Sequence, residues 1–221
     1  MEFQEGWILF EDDRLLVINK PSGLSVLEDR TSEFNLWKLL VERGRYFPAH
    51  RIDKGTSGVL VLAKSQSVQT ALTKAFSGRD ISKFYVAQVV DAFPEDGTLI
   101  INLPLKPGRK SRYRVAGERA DIVRERKLFQ LRKESGGGVE AVTRVRLLTR
   151  EGERSTVLAS PITGRTHQLR VHLAWIGHAI VGDHLYGKPA AVDQKNSRLR
   201  LHCHRLVIPG IGTFNARVPW T

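Results

Sequence analysis

The sequence predicts an α+β protein forming a single domain over residues 1–221, on three observations. Most patterned segments are short β-branched or aromatic runs bounded by turn residues, which is strand chemistry. Three segments repeat their apolar residues at helical spacing, scattered among the strands rather than alternating with them. No Pro-, Gly- or Ser-rich linker, internal repeat or low-complexity stretch divides the chain.

The elements follow in order. "WILFEDDRLLVINKPSGLSV" predicts two strands joined by the turn Glu11–Arg14 and stopped by Pro21, Ser22 and Gly23. "TSEFNLWKLLVERG" predicts a helix with Ser32 as N-cap, Leu36, Leu39 and Leu40 on one face, and Gly44 at its end. Val59–Ala63, an unbroken apolar run, predicts a strand buried on both faces. Ser65 caps a second helix carrying Val68, Leu72, Ala75 and Phe76, closed by Gly78. "SKFYVAQVV" predicts a strand, and Thr98–Ala159 reads mostly as strands with turns at "ESGGG" and "REGE". "TGRTHQLRVHLAWIG" predicts a third helix, with Leu169, Leu173 and Ile176 in one stripe, Thr166 near its start and Gly177 past its end. "RLRLHCHRLVIPG" and "GTFNARVPW" close the chain as a hairpin-like pair.

Composition narrows the function. Hydrophobic content of 41% and charged content of 26% are those of an ordinary globular protein. No apolar run approaches the roughly 20 residues of a membrane span. The acidic start "MEFQEGWILFEDD" lacks a basic-then-apolar signal pattern, so a cytoplasmic location is expected. Cys203 is the lone cysteine, which excludes an internal disulfide. Against 23 acidic residues stand 35 Lys and Arg, a net charge of +12 that points to a polyanion, nucleic acid above all. Residues 106–133 concentrate the excess, with eleven cations against Glu118, Asp121 and Glu125. A solvated face would interleave both signs. This segment, with Arg109, Lys110, Arg112 and Arg114, reads as a loop or arm that meets phosphates.

Asp53 lies between Arg51 and Lys54, and the local pattern admits two readings. One is an ion-paired turn; the other is a carboxylate kept ionised as nucleophile or base. Gly55-Thr56-Ser57-Gly58 favours the second, because its backbone can approach a ligand and it runs straight into a buried strand. Tyr85 reads either as core or as a platform on which a base stacks. Arg170 reads as a solvated helix arginine or as a guanidinium pairing a carboxylate such as Asp53. His167 and His172 are five apart, and His202 and His204 alternate around Cys203. No Cys-x-x-Cys or His-Glu-x-x-His pattern accompanies them, so no metal is expected. Without a Walker-type loop or a dinucleotide fingerprint, no cofactor is expected either. Ser57 lacks the Gly-x-Ser-x-Gly elbow of a serine hydrolase.

"HRIDKGTSGVLVLAK" resembles the catalytic motif of the RluA-type pseudouridine synthases. "SKFYVA", "TGRTHQLRVHLAWIGHAIVGDHLYG" and "RLRLHCHRLVIPG" are similar to that family's later motifs, with Cys203 where alanine is usual, and "EDDRLLVINKPSGLSV" matches its opening strands. The resemblance implies a mixed, mostly antiparallel sheet flanked by helices with a central RNA-binding cleft. It further implies that Asp53 is the catalytic nucleophile, that Tyr85 stacks on the target ring, that Arg51 takes the place of the flipped uridine, and that Arg170 pairs with Asp53. His50 and Arg165, inside the same motifs, are expected at the RNA. Motifs starting almost at Met1 lead us to expect no extra N-terminal RNA-binding domain. A monomer acting on ribosomal or transfer RNA is expected. Two other readings stay open: an RNA-binding module without chemistry, and a hydrolase using Ser57 or a His-bound metal.

Overall fold

The computed structural model describes residues 2–28, 34–94, 97–109, 112–133, 135–187 and 198–220. They form two compact units, residues 1–83 with 201–221, and residues 84–200.

In the first unit β1 (Ile8–Glu11) and β2 (Leu15–Lys20) make the expected antiparallel hairpin. Asp12 Oδ1 holds its turn by accepting from the amides of Arg14 and Leu15 at 2.9 and 2.6 Å. Helix α1 (Leu36–Leu40) is shorter than its sequence pattern suggests. The expected N-cap, Ser32, lies outside the described residues; the cap is Asn35, whose side chain accepts from Lys38 N at 2.9 Å. Leu36 and Leu40 are buried but Val41 is exposed, so beyond Leu40 no apolar face remains to carry the helix to Gly44. A short β3 (Phe47–Pro48) follows, then β4 (Ser57–Ala63) and α2 (Gln66–Ser77). All seven residues of β4 are buried, and β2 pairs along its length from Leu15↔Ala63 to Lys20↔Gly58. Ser65 and Gly78 cap α2 as the spacing predicted.

Strand β5 (Ser82–Val90) leads into the second unit. There follow β6 (Thr98–Asn102), β7 (Leu105–Pro107), β8 (Tyr113–Val115), β9 (Ile122–Glu125), β10 (Leu128–Leu131), β11 (Val142–Glu151), β12 (Arg154–Pro161) and α3 (Gln168–Trp175). Their sheet runs β5-β12-β11-β6-β10-β9, antiparallel except where β10 meets β6, while β7 and β8 pair separately. The described part of 106–133 is therefore no open arm. It folds as β7–β8 and a β9–β10 hairpin because Leu105, Val115 and Phe129 give these strands apolar anchors. Helix α3 begins at Gln168 rather than near Thr166, with His167 at its N-cap in the left-handed region (φ 57°). His167 makes no capping bond; the Gln168 carboxamide oxygen instead accepts from Arg165 N and Thr163 Oγ1. Every residue from Gln168 to Ala174 is buried, so α3 is a core helix rather than an amphipathic one.

The chain returns to the first unit as β13 (Leu201–Ile208) and β14 (Gly212–Asn215), an antiparallel hairpin. β13 runs parallel to the start of β4 (His202↔Ser57, Cys203↔Gly58), whereas β3 pairs with its end. Gly58 has φ 109°, and a Cβ there would stand 2.3 Å from the Cys203 carbonyl oxygen, so only glycine lets the strands meet. The predicted α+β class and mixed, mostly antiparallel pairing are borne out. No described helix is long and apolar enough to cross a membrane.

Candidate active site

In the first unit the loop between β3 and β4 presents Asp53, and its backbone is gripped from below. Asp53 O accepts from Thr56 N at 3.0 Å, closing a turn. Lys54 O accepts from Gly23 N at 2.8 Å and from Lys20 Nζ at 3.3 Å, and Gly55 O accepts from Ser22 Oγ at 2.6 Å. Lys20 is fully buried and also donates to Pro21 O and Leu24 O at 2.8 and 2.7 Å, so three carbonyls take its N–H groups. Pro21-Ser22-Gly23, expected only to stop a strand, is thus the clamp of the Asp53 loop. Arg51 is exposed and Asp53 half-buried, while Ile52, Thr56 and Ser57 are buried. The buried Ile52 and Thr56 anchor the loop on either side of Asp53, as a rigid presenting loop requires.

His50, expected at the RNA, turns its Nε2 inward. That atom accepts from Val61 N at 3.1 Å, and the ring stacks on Phe76 with centroids 4.3 Å apart. It fills the gap on the β4 edge between β13 and β3. Desolvation, with the charge of Lys83 second, pushes the imidazole down to about 3, as an acceptor nitrogen needs. Ser57 and His202 form a buried pair, Oγ to Nδ1 2.8 Å. Because His202 Nε2 faces the Ala216 carbonyl at 3.2 Å, it must donate there, and Ser57 donates to Nδ1. His204 Nδ1 donates to the same carbonyl at 2.9 Å. Sealed from solvent, Ser57 is no hydrolytic nucleophile, and His202 and His204 are occupied by the chain rather than poised as ligands. No group of three His, Cys, Asp or Glu able to hold a metal occurs among the described residues.

Tyr85 and Arg170 belong to the second unit. Tyr85 lies on β5 opposite Ala159 and is 9% exposed. Arg170 is buried in α3, and Asp183 grips it in bidentate fashion, Nε to Oδ2 2.9 Å and Nη2 to Oδ1 2.8 Å. The sequence reading missed Asp183, thirteen residues away; its signal is an Asp between two glycines, Gly182 and Gly187, at an Asx-type turn. Two paces along α3, His172 is fully buried. Its Nε2 donates to Leu103 O, its Nδ1 accepts from Thr143 Oγ1, both at 2.9 Å, and burial pushes it down to about 4. Arg165 is exposed and donates through Nε to Glu140 O at 2.9 Å.

The basic residues divide into two kinds. Arg109 and Arg112 are exposed at the β7–β8 turn, with Lys110 outside the described residues. Arg114 pairs with Glu118 at 3.2 Å. Arg119 caps the C-terminus of α3, donating to Ala174 O and Trp175 O at 3.0 and 3.2 Å and lying over the Trp175 ring.

The fold has counterparts among known proteins. Residues 14–175 match the family described as RNA pseudouridylate synthase, and the chain belongs to it. It is therefore an isomerase that converts uridine in RNA to pseudouridine. It is 35% identical over 211 residues to the dual-specificity RNA pseudouridine synthase RluA of Vibrio cholerae, covering 92% of this chain and 78% of the relative. The protein of that description from Yersinia pestis is 35% identical over 219 residues, covering 93% and 94%. Among solved structures, human RNA pseudouridylate synthase domain containing 4 superposes with a TM-score of 0.78 at 25% identity, over 96% of this chain and 88% of that one.

Proposed function

We propose that Asp53 is the nucleophile of this synthase and that it acts on uridines of ribosomal or transfer RNA in the cytoplasm, as a monomer. The observation that carries the assignment is the loop itself: a half-buried carboxylate whose two following carbonyls are held by the Lys20–Gly23 clamp. The reaction breaks the N1–C1′ bond, turns the base and joins C5 to C1′; C5 gives up its proton and the freed N1 takes one up. It is redox-neutral, so side chains and RNA contacts suffice. The target must leave its stack, at a cost of a few kcal/mol. Tyr85 supports this step by stacking on the ring, and the exposed Arg51 enters the vacated place. Arg170 supplies the cationic role that the family resemblance implies for it. Arg109, Lys110, Arg112, Arg114 and Arg165 contribute phosphate contacts. The dual specificity in the names of the bacterial relatives supports more than one RNA target.

The test is release of tritium from RNA labelled at uridine C5. Asp53→Asn should bring release to background with RNA affinity and melting temperature retained. Normal turnover in that variant would end the assignment. If instead the wild-type protein binds RNA but forms no pseudouridine, it is a binding module without chemistry.

A further inference from the structure

Asp183 is only part of what surrounds Arg170. The Tyr186 ring lies 5.2 Å from the guanidinium carbon, within cation–π range. Asp183 is itself locked: its Oδ1 accepts from Leu185 N at 2.9 Å and Tyr186 N at 3.2 Å. The turn has no slack, since Gly182 has φ 77° and a Cβ on it would meet Arg198 O at 2.1 Å. Asp183 takes the Nε–Nη2 edge and so sets the direction of the Nη1 donors, while the guanidinium carbon sits over the Tyr186 ring. A guanidinium held along one edge and packed over a ring has little rotational freedom.

The Tyr186 hydroxyl extends this clamp in two directions. It accepts from Tyr113 N on β8 at 2.9 Å and lies 2.8 Å from His167 Nδ1. That second contact is a hydrogen bond between the two side chains. His167 is the N-cap of α3, packed edge-on against both Tyr113 and Tyr186, with centroids 6.0 and 5.6 Å away. One hydroxyl thus joins the helix start, the basic strand and the side chain that holds Arg170. The left-handed backbone of His167 is the kind of outlier that persists only where its surroundings over-determine it.

We propose that Tyr186 is a positioning residue for Arg170, and that its hydroxyl makes the placement of Arg170 depend on β8 and on His167. The inference rests on the reading that Arg170 serves the chemistry. A residue that only fills space would matter through stability; a positioning residue lowers the rate of protein that is folded and bound to RNA.

The experiment measures single-turnover tritium release, RNA dissociation constant and melting temperature for the wild type, Tyr186→Phe, Tyr186→Leu and Asp53→Asn. The RNA is total RNA from cells lacking the protein, labelled at uridine C5. Tyr186→Phe keeps the ring and loses the hydroxyl links, so its rate should fall about tenfold at temperatures where it stays folded, with affinity within about twofold and the melting temperature lowered by only about 3 to 6 °C. Tyr186→Leu also loses the face contact, and its rate should fall about a hundredfold. A wild-type rate in Tyr186→Phe overturns the proposal, as does a loss that disappears on cooling in step with the melting temperature. If Asp53→Asn is inactive while Tyr186→Phe is normal, only the positioning role fails. If Asp53→Asn turns over, the catalytic reading fails and this inference with it.

Discussion

At the scale of single residues, histidines that look like candidate ligands or RNA contacts serve as neutral hydrogen-bond acceptors in the core. His172 receives a proton from Thr143, which itself accepts from Gln168, and passes its own to Leu103 O. A second proton on His172 would break that chain. Its folded value of about 4 lies below the ordinary 6.5, so the unfolded chain binds more protons between those limits. Stability is complete above about pH 6.5, falls as pH drops towards about 4, and loses on the order of 3 kcal/mol from this group. His50 adds to the loss in the same direction. Thermal melts at about pH 7.5 and about pH 4.5 should show it. His172→Gln should weaken the acid-induced part of the drop, even if it lowers stability at neutral pH.

At the scale of elements, two joints bear on the candidate site. The first is the β4–β13 junction, where Gly58 faces the Cys203 backbone. Gly58→Ala combines a left-handed φ with a backbone clash and should cost more than about 1 kcal/mol. Denaturant midpoints would measure this, and an unchanged midpoint would contradict it. The second is the C-terminus of α3, where Arg119 holds two terminal carbonyls. Arg119→Gln should cost about 1 kcal/mol of stability while leaving the salt dependence of RNA binding unaltered.

At the scale of the whole molecule, the net charge of +12 sets how the chain meets RNA. Each phosphate contact removed should reduce the slope of log affinity against log salt by about 0.7 to 0.9. Replacing exposed Arg109 and Arg112 together with Gln should therefore flatten the slope by about 1.5 if both meet phosphate. The chemical step in bound RNA should change little. Binding isotherms across a salt series would separate these arginines from Arg119, whose side chain is spent on α3.

Sequence alone determined the elements whose signals are local. The Val59–Ala63 run declares a strand buried on both faces, Ser65 and Gly78 bracket α2, and the HRIDKGTSG motif points to the family and to Asp53 as its candidate nucleophile. Period, caps and motif spacing lie within a few residues, so one chain suffices to read them, while the role of Asp53 stays the proposal made above. Tertiary structure decided what depends on partners distant in sequence. Lys20 and Ser22 grip carbonyls more than thirty residues away, Ser57 donates to His202 across 145 positions, and Tyr186 bonds to the Tyr113 amide across 73. It also decided that part of the basic segment folds into strands and that α3 starts at a left-handed His167. A hydrogen bond between residues far apart in the chain leaves no local trace in the sequence. Only folding brings its two halves together, and there the supports of Asp53 and Arg170 become visible.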